Sequence, residues 1–143
     1  MTVVESAAPL PEEATPVEGA SAARLAEGYA AVFLEDGFVR LVLPPGAVIT
    51  GGVAARAASE FEQLTRTGMM PLLLELTGIE SITRSARSVF GSAQNASAVA
   101  VLGSSQVDRV IANFLLGGDL PSCPTKYFSS RDKALEWLRA KTR

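Results

Sequence analysis

The sequence of 143 residues contains no histidine and a single cysteine, Cys123. Without imidazole there is no Ser-His-Asp or Cys-His machinery and almost no zinc chemistry, and one thiol cannot close an internal disulfide. A basic excess is missing too: 13 Lys and Arg stand against 15 Asp and Glu, a net charge of −2. Binding to DNA or RNA through counterion release needs the opposite balance, so nucleic acid is not an expected partner. Long apolar runs are absent, and stretches such as Pro71–Leu74 and Val99–Leu102 fall far short of the roughly 20 residues that span a bilayer. Residues 1–27 hold five glutamates and only Arg24 as a base, with neither a positive n-region nor an apolar h-region, and the cytoplasm is therefore the expected location. What the chain does have is 48% hydrophobic residues, enough to build one core in a chain of single-domain length.

The composition divides the chain in two. Residues 1–27 are rich in Glu, Ala, Ser, Thr and Pro, with little aromatic or branched apolar material, and read as a disordered acidic tail. Residues 28–143 read as one folded domain. Ala30–Leu34 and Phe38–Leu43 are β-rich runs joined by Glu35-Asp36-Gly37, and Asp-Gly between such runs signals a hairpin. After Pro44-Pro45-Gly46, the spacing of Val53, Ala57, Phe61 and Leu64 predicts a helix ending before Gly68. Pro71–Leu76 and Ala98–Leu102 are short continuous apolar runs, the mark of strands covered on both faces, with a short helix at Ser85–Phe90 between them.

Ser105 then stands as the N-cap of a clearer helix, with Asp108 in its first turn and an apolar stripe of Val107, Val110, Ile111, Phe114 and Leu115 expected to face the sheet. A loop bounded by Pro121 and Pro124 leads to a strand at Thr125–Phe128. Ser129 reads as the N-cap of a closing helix, whose inner face is expected to hold Ala134, Leu135, Trp137 and Leu138, with Trp137 in the core. The order β-β-α-β-α-β-α-β-α calls for right-handed crossovers and a mostly parallel sheet with an antiparallel N-terminal edge strand.

This order, over roughly Ala30 to Lys141, resembles the STAS domain, the SpoIIAA-like fold of anti-sigma-factor antagonists and of the cytoplasmic tails of sulfate transporters. Leu74-Glu75-Leu76-Thr77-Gly78-Ile79 is similar to the strand and turn that such domains write as hydrophobic, Asp, Leu, Ser, Gly, hydrophobic. The segment from Phe128 to Leu138 is similar to the closing helix of bacterial STAS/Sec14-like proteins of uncharacterised function. The resemblance implies a non-catalytic, regulatory protein-binding module without a cofactor, and, by analogy with Sec14-like relatives, the alternative of a carrier or sensor of a small apolar, lipid-like ligand. It also implies a phosphoacceptor at the start of the helix after the third strand, in a motif Asp-Ser-x-Gly. Here Thr83, Arg84, Ser85 and Ala86 occupy those four positions, a departure that puts Arg84 on the acceptor and leaves Ser85 or Thr83 to serve only after a one-residue shift.

The bottom-up reading of the same residues is plainer, because Ser and Thr at a helix start are ordinary N-caps. Arg84 and Arg87, one turn apart near the C-terminal ends of the strands, can clamp a phosphate or carboxylate or simply form a solvated face. Gly103-Ser104-Ser105 opens a helix without the spacing of a phosphate-binding loop. Glu75 and Glu80 form a candidate acid–base pair, and Cys123 a thiol with no imidazole to activate it. No metal ligand set is found. Phe114, Leu115 and Leu116 end the long helix with three apolar residues in a row, so part of this surface needs cover. With Tyr127 they are the candidate dimer or ligand surface: a homodimer is expected if a second copy covers them, and a ligand pocket if Phe114, Leu115, Tyr127 and Trp137 enclose one.

Overall fold

The computed structural model describes residues 28–92, 94–117 and 123–141. The expected acidic tail lies outside these residues. Asp36 and Gly37 turn the chain between β1 (Ala31–Leu34) and β2 (Val39–Val42), which pair antiparallel from Ala31 opposite Val42 to Leu34 opposite Val39. The Glu35 N–H donates to the Phe38 carbonyl at 2.8 Å, and Gly37 supplies the left-handed residue of the turn at φ 85°. From there the chain runs through β3 (Val48–Ile49), α1 (Gly51–Leu64), β4 (Met70–Glu75), β5 (Ser81–Ile82), α2 (Arg84–Gly91), β6 (Ala96–Leu102), α3 (Gln106–Leu116), β7 (Thr125–Phe128) and α4 (Arg131–Lys141). The main sheet has the order β1-β2-β4-β6-β7, parallel from β2 onward, while β3 and β5 form a two-stranded parallel ladder beside it. This is the mostly parallel α/β layout with an antiparallel edge that the order of elements predicts.

Period-two alternation gives the sheet two unlike faces. On one, Val39, Leu41, Leu72, Leu74, Val99 and Val101 meet α1, α2 and α3 through Ala54, Ala57, Phe61, Ala86, Ile111, Ala112 and Leu115. On the other, Leu73, Ala98, Ala100 and Leu102 meet α4 through Ala134 and Leu138. The pattern slips at one place. Met70 pairs with Ala96 but Pro71 with Ala98, so Ser97 is bulged out of the ladder where Pro71 has no N–H to offer.

Two expectations about side-chain direction are corrected. In α3 the buried positions are Asp108, Ile111, Ala112 and Leu115, whereas Val107 and Val110 are 60% and 66% exposed. The helix is rotated from the predicted stripe, with a carboxylate, Asp108, at the N-terminal end of its inner side. In α4, Ala134 and Leu138 are buried but Trp137 is only half-buried, its ring 5.5 Å from that of Phe128 at the sheet's edge strand. The helix is capped by Ser130, one residue later than predicted, its hydroxyl accepting from the Lys133 N–H.

Candidate functional site

Parallel strands that all end at one edge of a sheet deliver all their following helices to that edge as well, and their N-termini gather there. Each of the four starts with a hydroxyl: Thr50 accepts from the Val53 N–H at 3.3 Å, Thr83 from Ala86 at 3.2 Å, Ser105 from Asp108 at 3.0 Å and Ser130 from Lys133 at 3.4 Å. The starts of α1 and α2 are nearly in contact, since a Cβ placed on Gly51 would lie 2.9 Å from the Ser85 Cβ.

Asp108 is the centre of this edge. Its side chain is 1% exposed, with Oδ1 accepting from the Gly78 N–H at 3.1 Å and Oδ2 from the Ser104 and Ser105 N–H groups at 2.8 and 3.1 Å. Burial opposes the charged form, but the three backbone donors and the Ser104 hydroxyl outweigh it and hold the carboxyl below its ordinary value of 3.8. The turn after β4 is thereby tied to the start of α3. Gly103 makes room for the arrangement, because a Cβ there would lie 2.7 Å from the Asp108 Cβ and 2.9 Å from the Tyr127 hydroxyl. Sequence reasoning placed Asp108 in a first turn but missed its burial; the signal available was the capping box that Ser105 and Asp108 complete.

The sequence-predicted residues fall into separate places. Thr83 is the N-cap of α2, Arg84 and Ser85 are exposed, and Arg87 is half-buried. Arg87 does not close with Arg84 on an anion site. Its Nη1 donates to the Phe114 carbonyl at 3.2 Å, and its guanidinium lies 4.4 Å from the centre of the Phe114 ring. Leu115 is buried, and Phe114, Leu116 and Tyr127 are half-buried. The Arg109 guanidinium covers the Tyr127 ring at 5.0 Å, and burial raises the phenol's pKa above its ordinary value, against the lowering effect of Arg109.

The expected pocket does not exist as drawn. Phe114, Leu115 and Tyr127 pack on the three-helix face and Trp137 on the α4 face, so the sheet lies between them. An apolar cavity of about 40 Å³ does occur beneath the C-terminal turns of α2 and α3, lined by Leu74, Phe90, Val101, Leu115, Leu116 and Thr125 among others. Of the two candidate carboxylates, Glu75 is occupied: its Oε2 accepts from Arg40 Nε at 2.6 Å and lies 2.9 Å from Arg131 Nη2, so Glu75 is an ion-pair hub on the α4 side, while Glu80 is exposed. The Cys123 thiol has its pKa raised by burial. Among the described residues no cluster of three or more His, Cys, Asp or Glu is placed to hold a metal, and no helix is long and apolar enough to cross a membrane.

Comparison with known proteins bears on this arrangement. The sequence profile of a domain of unknown function, DUF7793, matches residues 32–142. Among solved structures, an uncharacterised protein from the DUF3478 family of Shewanella loihica PV-4, described as having a SpoIIAA-like fold, aligns with a TM-score of 0.54 at 16% identity, covering 77% of this chain and 94% of that one. A protein with unknown function from Arthrobacter sp. FB24 is 44% identical over 76% of this chain and 97% of its own length, with a TM-score of 0.30. No curated protein matches the sequence. The fold at 16% identity is thus SpoIIAA-like, as the order of elements anticipates.

Proposed function

The chain belongs to the DUF7793 family, and from that membership together with its SpoIIAA-like fold we propose that it is a non-catalytic regulatory module that works by binding a protein. The observation that carries this reading is the state of the sheet's C-terminal edge. Folds of this layout place ligands and reacting groups there. In this chain Asp108 and the helix caps of that edge are engaged with backbone groups: Asp108 accepts from Gly78, Ser104 and Ser105, and the hydroxyls of Thr50, Thr83, Ser105 and Ser130 accept from their own helices. A carboxylate with its lone pairs taken by backbone donors is a poor general base, and its lowered pKa makes it a poor acid.

The carrier reading draws less support. The apolar cavity of about 40 Å³ is far below the roughly 150 Å³ that accommodates a benzene ring, so a lipid chain would require α2 and α3 to part. Of the surface on which a homodimer is expected, Leu115 is buried, while Phe114, Leu116 and Tyr127 are half-buried.

Cross-linking the intact protein in its native cell, followed by mass spectrometry, tests the proposal. One protein recovered in comparable amount to this chain is the expected result. Native mass spectrometry of the purified chain supplies the counter-test: a co-purifying apolar adduct would overturn the reading in favour of the carrier.

A further inference from the structure

Resting on the protein-binding reading, we propose that the partner is an acidic, amphipathic protein segment and that it docks along the seam between α2 and α3. Val107, Val110 and Phe114 follow one another at intervals of three and four, so they share one flank of α3. Arg87, which stacks on Phe114 from α2, shows that this flank faces α2. Two of the three are among the most exposed large hydrophobic side chains described, Val107 at 60% and Val110 at 66%. Single exposed valines need no explanation, but a pair continuous with a half-buried phenylalanine makes a stripe.

The charge around the stripe has one sign. Across α2 and α3 the charged residues are Arg84, Arg87, Arg109 and Asp108, and Asp108 is buried and saturated. Among the described residues no carboxylate pairs with any of the three arginines. Arg109 turns to the other flank of α3, over Tyr127, and leaves Arg84 and Arg87 on the α2 side of the stripe; two cations beside an apolar stripe, in a chain whose net charge is −2, form a local reversal of the overall field. A second copy is the wrong occupant, since a two-fold contact would set these arginines against their own copies. Carboxylates flanking apolar residues at helical spacing match both features, the arginines offering forked donors to the acids and the valines a floor for the apolar side chains.

The test uses the full chain, labelled with nitrogen-15, and two synthetic peptides with leucines at the same helical spacing, one filled with glutamate and the other with lysine. The glutamate peptide is expected to shift amides within Arg84–Ser88 and Gln106–Phe114, and the lysine peptide is not. Val110→Asp and Arg84→Glu should each weaken the glutamate peptide at least tenfold, and because both positions are exposed the fold should survive; Val107→Ser, with no charge change, is the milder control and should weaken it about threefold. Equal binding of both peptides, shifts confined to another face, stronger binding of phosphatidylglycerol vesicles to the same residues, or a wild-type dimer that Val110→Asp dissociates would each overturn the proposal. The surface and the binding role fail separately. A cross-linked protein partner whose capture is indifferent to Val110→Asp and Arg84→Glu overturns the surface and leaves the binding role standing.

Discussion

The two faces of the sheet are built on different plans. The three-helix face stacks branched side chains, with Leu41, Leu72, Leu74, Val99 and Val101 against Phe61, Ile111 and Leu115. The opposite face carries Ala98 and Ala100 on β6, and these small residues let a single helix, α4, sit on the sheet through Ala134 and Leu138. Thickness on one side gives stability by burial of area, and thinness on the other makes it depend on close approach. Charge follows the same division. The α4 face finishes in an ion-pair hub at Glu75, held by Arg40 and Arg131, whereas the outer surface of α2 and α3 keeps its arginines free of carboxylates among the described residues.

The comparison breaks most severely where the thick face loses volume. Leu74→Ala, at a position 2% exposed, should cost about 2–5 kcal/mol in urea unfolding, because the surrounding helices cannot all collapse into the space. On the thin face the damaging change is the reverse one. Ala100→Leu should cost about 1–3 kcal/mol by overpacking, with hydrogen-exchange protection lost first in α4 and largely kept in α3.

Asp108→Asn should cost about 1.5–3 kcal/mol, since it removes the charge from bonds that three backbone donors share. The sign of its pH dependence follows from the lowered pKa. The contribution is fully present above the ordinary value of 3.8 and is lost as the pH falls through the lower folded-state value, so the wild type should lose an increment of stability in acid that the variant never had. At the small end, Trp137→Ala should cost less than the roughly 3–5 kcal/mol of a fully buried aromatic, in keeping with its half-buried place against Phe128. Ser97→Ala should be close to neutral, within about 0.5 kcal/mol, as it deletes a buried hydroxyl that has no partner among the described residues. Thermal denaturation of both variants checks the order.

How much of this was legible in the sequence depended on whether the cause was local. The Asp36-Gly37 turn, the Thr83 and Ser105 caps and the buried strand runs are written within a few neighbouring residues, and the structure has each of them. The face of α3 was misread because hydrophobic periodicity counts valine as inward and aspartate as outward. What turns Asp108 inward includes an N–H from Gly78, 30 residues away, which no local window contains. The pocket was misread for a related reason: Tyr127 and Trp137 are near in sequence, but β7 sends Tyr127 to one face while Trp137 packs with Phe128 on the other. The Glu75 hub was invisible for the same cause, since Arg40 and Arg131 reach it from the second strand and the last helix.

The seam that Asp108 makes between residues 78 and 104–105 also bears on time. Its bonds to Ser104 and Ser105 are local to the start of α3, but the bond from the Gly78 N–H can form only when β4 and β6 already lie side by side, so the seam closes after the slow search for parallel pairing. An interaction completed after the rate-limiting step leaves the speed of folding alone and governs how long the folded molecule lasts. Stopped-flow measurements on Asp108→Asn are therefore expected to show unfolding accelerated more than refolding is slowed, the carboxylate acting as a latch on the lifetime of the native state.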